Sequence, residues 1–98
     1  MHARLTKLKG DPGRMDEATQ SYRDALSQFA AIDGNRGAFL LVDRDSGVGI
    51  GITLWEDADS MTAARERAKE LREGAAAQVS AQVESVEEYE VAVWEPQS

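Results

Sequence analysis

The sequence contains no cysteine, a single histidine and only two prolines among its 98 residues. Without cysteine the chain can form no disulfide, thiolate nucleophile, iron–sulfur cluster or cysteine-bound zinc site. The histidine, His2, lies next to the N-terminus with no second ligand at metal-binding spacing, and it is poorly placed for a Ser–His–Asp triad. We therefore predict no metal site.

Positive charge and long apolar runs are also scarce. Eleven Lys and Arg stand against eighteen Asp and Glu, so the net charge is −7 and the pI is near 4.6. Binding to nucleic acid or to an anionic membrane surface requires a basic face. No apolar run approaches the roughly 20 residues of a membrane span, and the N-terminus lacks the apolar block of a signal peptide. We therefore expect a cytoplasmic protein that binds neither nucleic acid nor a membrane.

The length predicts one small domain over residues 1–98. Of its residues 42% are hydrophobic, which is enough to form a core. Residues 2–9 predict a strand. Asp11-Pro12 predicts a helix start, since a carboxylate caps the first turn and proline suits the first helical position. Gly34 predicts a left-handed cap at the end of that helix. Residues 37–44 and 48–56 predict two strands that form a hairpin.

Apolar residues at spacings of three and four predict two amphipathic helices. In the first helix they are Met15, Ala18, Tyr22, Ala25, Leu26 and Phe29. In the second helix, which Asp57 caps, they are Met61, Ala64, Ala68, Leu71 and Ala75. A long last strand is predicted over residues 83–94, and Pro96 ends it.

The resulting order, β-α-β-β-α-β, is the split βαβ pattern and indicates an α+β, ferredoxin-like sandwich. Right-handed crossovers place the first and third strands in the centre of the sheet, with both helices on one face. The first strand carries Arg4, Lys7 and Lys9 and no acid, whereas the last carries four glutamates, is followed by Glu95, and has no base. As antiparallel neighbours, these two strands would pair opposite charges.

The sheet face away from the helices is predicted to be apolar as well. The second strand has bulky residues on both faces, Phe39 and Leu41 on one and Leu40 and Val42 on the other. A solvated sheet face is normally more polar. We therefore expect a homodimer in which two copies pack these faces together as a dimeric α/β barrel.

Four segments carry a resemblance to a known family. They are AR at residues 3–4, VDRDSG at 42–47 in the hairpin, TLWED at 53–57 before the second helix, and YEVA at 89–92 in the last strand. With these segments the chain resembles the antibiotic biosynthesis monooxygenase family over nearly its whole length. The resemblance implies a dimeric α/β barrel with a ligand cavity between the helices and the sheet. It also implies oxygenase chemistry that needs no cofactor.

The haem-degrading branch of that family is similar in fold but uses an asparagine on the first strand, a tryptophan after the third and a histidine ligand on the second helix. Trp55 matches the tryptophan. The asparagine position falls near Ala3, and Arg65 or Glu66 stands where the histidine would be. Haem ligation by a histidine of that helix is therefore not available to this chain, whereas porphyrin binding without such a ligand stays open.

The candidate residues of a ligand pocket are Arg4, Tyr22, Phe29, Gly49, Gly51, Trp55 and Met61. The ring of Trp55 would form an apolar wall, or it would pack in the core against Met61. Gly49 and Gly51 share the strand face of Trp55 and would leave room for a ligand, or they would admit a bulky neighbour such as Phe29.

Tyr22 and Arg4 are the polar candidates. The Tyr22 hydroxyl would orient a ligand carbonyl or phenol, or the side chain would simply be core. Arg4 would balance an anionic ligand or pair with the last strand. No convincing base lies in the apolar stripes, and no catalytic residue is assigned. Two functions follow: a cofactor-independent monooxygenase of a small aromatic or polyketide-like substrate, or a non-catalytic, small-molecule-binding or stress-related protein.

Overall fold

The computed structural model describes residues 1–95 and contains four strands and three helices. The strands are β1 (His2–Lys9), β2 (Asn35–Asp43), β3 (Val48–Trp55) and β4 (Gln82–Glu90). The helices are α1 (Met15–Ala30), α2 (Ala58–Ala63) and α3 (Arg65–Gln78), and a short 3-10 turn (Pro12–Arg14) precedes α1. Among these helices, none combines the length and apolar composition that a membrane crossing requires.

The strands form one antiparallel sheet in the order β2-β3-β1-β4, which confirms the predicted topology. The fold is α+β and ferredoxin-like, as the element order predicts. Gly34 has the predicted left-handed conformation, with φ of 84°. Its backbone passes so close to α2 that an added Cβ would lie 2.4 Å from the Cβ of Ser60, which only glycine accommodates.

The second predicted helix is broken into α2 and α3 at Ala64, where one continuous helix was expected. Asp57 caps α2 as predicted, accepting a hydrogen bond from the backbone N–H of Ser60 at 2.7 Å. The break coincides with an inserted side chain, because the Met61 carbonyl oxygen accepts a hydrogen bond from Nη2 of Arg4 at 2.7 Å. A side chain that occupies a helix carbonyl in this way is a recognised cause of kinks.

The last strand ends at Glu90, four residues earlier than predicted. The ladder between β1 and β4 begins at the pair His2 and Glu90, and one further backbone hydrogen bond runs from the Val91 N–H to the Met1 carbonyl oxygen at 2.8 Å. Trp94 therefore lies beyond the strand and is 53% exposed. The predicted terminator, Pro96, lies outside the described residues.

The two faces of the sheet differ in what covers them. The glycines and Thr53 of β3 face the helices and are buried, as the alternation of that strand predicts. On the opposite face, Phe39, Leu41 and Tyr89 are 40–51% exposed. One side of the sheet therefore lies against α1, α2 and α3, and the other presents an uncovered apolar surface.

Candidate functional site

A cavity of about 70 Å³ lies between the sheet and the helices α1 and α3. Its walls are mostly apolar, and small residues create the space, including Gly49 and Gly51 on β3 and Ala68 and Ala75 on α3. The volume is well below the roughly 300–1,000 Å³ of pockets that hold drug-sized ligands. The cavity as it stands therefore suits a small ligand.

Arg4 brings a charge into this apolar space. The residue projects from β1, one of the two central strands of the sheet, lines the cavity and is 2% exposed. Its Nε donates to Oε2 of Glu88 at 3.0 Å, its Nη2 donates to the Met61 carbonyl, and its guanidinium lies 5.4 Å from the centre of the Trp55 ring. The predicted pairing of Arg4 with the last strand is confirmed, with Arg4 buried and the Glu88 side chain 25% exposed.

Glu88 is the carboxylate that offsets this buried charge. It is the cross-strand partner of Arg4, and its second oxygen accepts from Nη2 of Arg65 at 2.6 Å. The hydrogen bonds from Arg65 and Arg4 hold the pKa of Glu88 below its usual value. At neutral pH the site therefore contains a carboxylate shared by two arginines.

Arg72 is a second arginine in the cavity wall, and it was not among the predicted site residues. Burial, followed by the nearby charge of Arg4, lowers the pKa of Arg72. Arginine nevertheless stays protonated at neutral pH. The sequence did carry a signal, because Arg72 is four residues from both Ala68 and Ala76 and so lies on the apolar stripe of α3.

The Tyr22 ring lines the cavity, but its hydroxyl already has partners. It donates to the Phe39 carbonyl oxygen at 3.0 Å and lies 3.4 Å from that of Ile52. Burial raises the pKa of Tyr22 to about 12, so the phenol is neutral at physiological pH. The hydroxyl thus ties α1 to the hairpin, and the ring is what the cavity contacts.

Trp55 and Met61 lie outside the cavity wall. Trp55 is fully buried in a cluster with Met61 and Ala64, and its Nε1 donates to Oγ1 of Thr53 at 2.9 Å. The structure therefore shows the core packing that was the alternative for Trp55. The other five candidates, Arg4, Tyr22, Phe29, Gly49 and Gly51, do line the cavity together.

The two cavity glycines play different steric roles. A Cβ at Gly51 would lie 3.1 Å from Cε2 of Tyr22, whereas a Cβ at Gly49 would meet its nearest atom, in Leu40, at 3.6 Å. Gly51 thus makes room for Tyr22 rather than for Phe29. At Gly49 an added Cβ would make only an ordinary van der Waals contact, so one more carbon fits there.

We predict that Gly51→Ala lowers the free energy of unfolding by about 1–2 kcal/mol, since the tyrosine must move within a packed interior. Gly49→Ala, on the same strand face, should stay within about 0.5 kcal/mol of the wild type or be slightly stabilising. Urea denaturation measures both. Equal losses for the two variants would contradict this assignment of roles.

Comparison with known proteins places the chain in a family. Residues 1–76 match the family described as antibiotic biosynthesis monooxygenase. The chain belongs to this family. The predicted resemblance is therefore confirmed.

Within residues 1–95, no three His, Asp or Glu side chains are grouped so as to hold a metal ion.

The protein also resembles individual curated proteins. It is 34% identical over 94 residues to the uncharacterized protein Rv2558 of Mycobacterium tuberculosis, covering 95% of this chain and 39% of that protein. The chain thus spans about two fifths of the length of this relative.

Two solved structures share the fold at low sequence identity. SnoaB, a cofactor-independent oxygenase from Streptomyces nogalater, superposes with a TM-score of 0.69 at 17% identity, covering 98% of this chain and 97% of SnoaB. The structure of an MhuD mutant with two manganese protoporphyrin IX molecules bound per active site superposes with a TM-score of 0.74 at 18% identity. The match covers 99% of this chain and 100% of the MhuD chain. These likenesses show the shared architecture.

Proposed function

We propose that the protein is a monooxygenase that needs no metal or bound cofactor and oxygenates a small, electron-rich aromatic or polyketide-like substrate inside the cavity. Family membership supports the reaction class. The observation that carries the assignment to this site is the apolar cavity that holds a buried arginine between the helices and the sheet. SnoaB shows that this fold accommodates cofactor-independent oxygenation.

The reaction balances without an external reductant. An activated CH₂ group of the substrate and O₂ give a carbonyl group and water, so the substrate supplies all four electrons that reduce O₂ and both hydrogens of the water. Such a substrate reacts with O₂ through its anion, which is electron-rich. The protein's part is then to bind the anion, to orient it and to exclude water.

The cavity residues suit those tasks. Arg4 and Arg72 supply positive charge in an apolar surrounding, where electrostatic stabilisation is stronger than in water. Gly49 leaves space beside them, and the ring of Tyr22 closes one wall. The small volume favours a compact phenol or enol over a large polycyclic substrate.

Oxygen uptake with a panel of small phenols and enols that carry an activated CH₂ group tests the proposal. We expect one O₂ consumed per substrate molecule. Gly49→Val should reduce kcat/KM at least about tenfold, because the added methyl groups fill the cavity. Gly74→Ala is the control, since Gly74 lies on exposed helix with nothing within 4 Å of an added Cβ. Uptake that Gly49→Val leaves unchanged would contradict the placement of the reaction.

One observation favours the second candidate function, non-catalytic binding of a small ligand. Among the described residues that line the cavity, the ionisable ones are Arg4, Arg72 and Tyr22, so no carboxylate or imidazole is present to accept a proton. Ligand binding without oxygen uptake across the whole panel would favour this function. Under the oxygenase proposal, the substrate must instead be acidic enough to be bound as its anion.

We also propose that the protein forms a homodimer through the uncovered sheet face. Phe39 and Leu41 on β2 and Tyr89 on β4 are exposed there, and soluble monomers rarely leave such an apolar patch in water. Packing two such faces together would bury all three side chains.

Light scattering at micromolar concentration should give the mass of two chains for the wild type. Leu41→Glu should shift the mass to one chain, because a carboxylate would be buried without a partner. Val93→Glu, at a residue 80% exposed and beyond β4, should leave the dimer intact. A monomeric wild type would contradict the proposal.

A further inference from the structure

Two arginines line the cavity of a chain whose net charge is −7. Arg4 reaches it from β1, and Arg72 reaches it from α3, so the two come from opposite walls. Burying a cation in an apolar space is unfavourable unless an anion or a hydrogen-bond acceptor compensates it. Both guanidinium groups therefore need an anion or hydrogen-bond acceptors nearby.

The compensation within the protein is incomplete. Glu88 is shared between Arg4 and Arg65, and within residues 1–95 Arg72 takes part in no ion pair. Two buried donor nitrogens, Nη1 of Arg4 and Nε of Arg72, also have no hydrogen-bond partner among the described residues. A buried donor without an acceptor costs about 1–3 kcal/mol, and more when the group is charged.

The geometry points to an oxyanion subsite in this cavity, in which Arg4 and Arg72 bind the ionised carboxylate or phenolate of a small ligand. A guanidinium presents planar, directional donors that match an oxyanion. The apolar remainder of the cavity, beside Gly49 and Ala75, would hold the hydrocarbon part of the same molecule. The inference rests on the proposed function, because it concerns the same cavity, and it specifies that the substrate is bound as an anion.

Binding, measured without any turnover, tests the subsite. Benzoate and 4-nitrophenolate are the two anionic probes, and benzamide and nitrobenzene are their neutral counterparts of similar shape. NMR titration follows the Nε–H resonance of Arg72, which is identified by its absence from Arg72→Met. We expect at least one anion to shift this resonance and to bind about tenfold or more tightly than its neutral counterpart, the size of one charge-assisted hydrogen bond.

The variants separate a specific subsite from general attraction. Arg72→Met should reduce the affinity for the anion to that of the neutral compound. Arg67→Met removes the same charge from the exposed side of α3 and should leave the affinity unchanged. Binding of benzoate alone would identify a carboxylate ligand, and binding of 4-nitrophenolate alone would identify a phenolate.

Three results would overturn the subsite: neither anion binds, the neutral compounds bind as tightly as the anions, or Arg67→Met weakens binding as much as Arg72→Met. Because these measurements need no oxygen, their outcome is independent of oxygen uptake. Anion binding without uptake would reject the oxygenase and keep the subsite, whereas uptake without anion selectivity would do the reverse.

Discussion

Glu88→Ala should lower the free energy of unfolding by about 3 kcal/mol. Arg4 is 2% exposed, and this change would leave its charge buried without a carboxylate and its Nε without an acceptor. Breaking one side of a buried ion pair costs about 3–5 kcal/mol, and the lower end applies because the Glu88 side chain is 25% exposed. Urea denaturation gives the value directly.

The double variant makes this prediction specific to the buried charge. Arg4→Met combined with Glu88→Ala should recover most of the lost stability, because replacing both partners with apolar groups removes the uncompensated charge. Glu87→Ala, at the exposed neighbouring residue, should change stability by less than about 0.5 kcal/mol. A double variant that is less stable than Glu88→Ala would show that Arg4 acts through other contacts.

Acid should weaken the same ion pair. The pKa of Glu88 is lower in the folded protein than in the unfolded chain, so its stabilising contribution is complete above the unfolded pKa of about 4.3. The contribution is lost as the pH falls from there through the folded pKa. The stability difference between wild type and Glu88→Gln should shrink over that interval.

Trp55→Ala should lower the free energy of unfolding by about 3–5 kcal/mol. The Trp55 side chain is fully buried against Met61 and Ala64, and its removal leaves a cavity that the surroundings can only partly fill. Trp94→Ala is the matched control, because Trp94 is 53% exposed beyond β4 and its loss should stay within about 0.5 kcal/mol.

The stability loss in Trp55→Ala also affects how activity assays of this variant are interpreted. Loss of oxygen uptake in Trp55→Ala would report loss of the fold rather than of a ligand contact, so Trp55→Phe is the variant to assay. An equal stability loss in Trp94→Ala and Trp55→Ala would contradict the core role of Trp55.

Local signals were sufficient for most of the fold. Asp57 accepts the capping hydrogen bond and Gly34 is left-handed, because both depend on their immediate neighbours in the chain. The break at Ala64 could not be predicted in the same way. It coincides with a hydrogen bond from Arg4 to Met61, which are 57 residues apart. Likewise, the bounds of β4 depend on its ladder with β1, which is distant in the sequence and pairs His2 with Glu90.

The candidate site was predictable where a periodic pattern pointed into the cavity. Tyr22 and Phe29 follow the apolar stripe of α1, and Gly49 and Gly51 follow the alternation of β3. Trp55 continues that alternation but lies at the end of the strand, where α2 rather than the cavity covers it. Arg72 was not among the predicted residues, although its spacing from Ala68 and Ala76 places it on the apolar stripe of α3.

The most direct test is a crystal structure of the protein with benzoate or 4-nitrophenolate, whichever binds more tightly in solution. We predict one molecule in the cavity, with its anionic oxygen within hydrogen-bond distance of Arg4 or Arg72 and its ring beside Gly49. A molecule bound elsewhere, with the two arginines unchanged, would contradict the claim that this cavity is the ligand site.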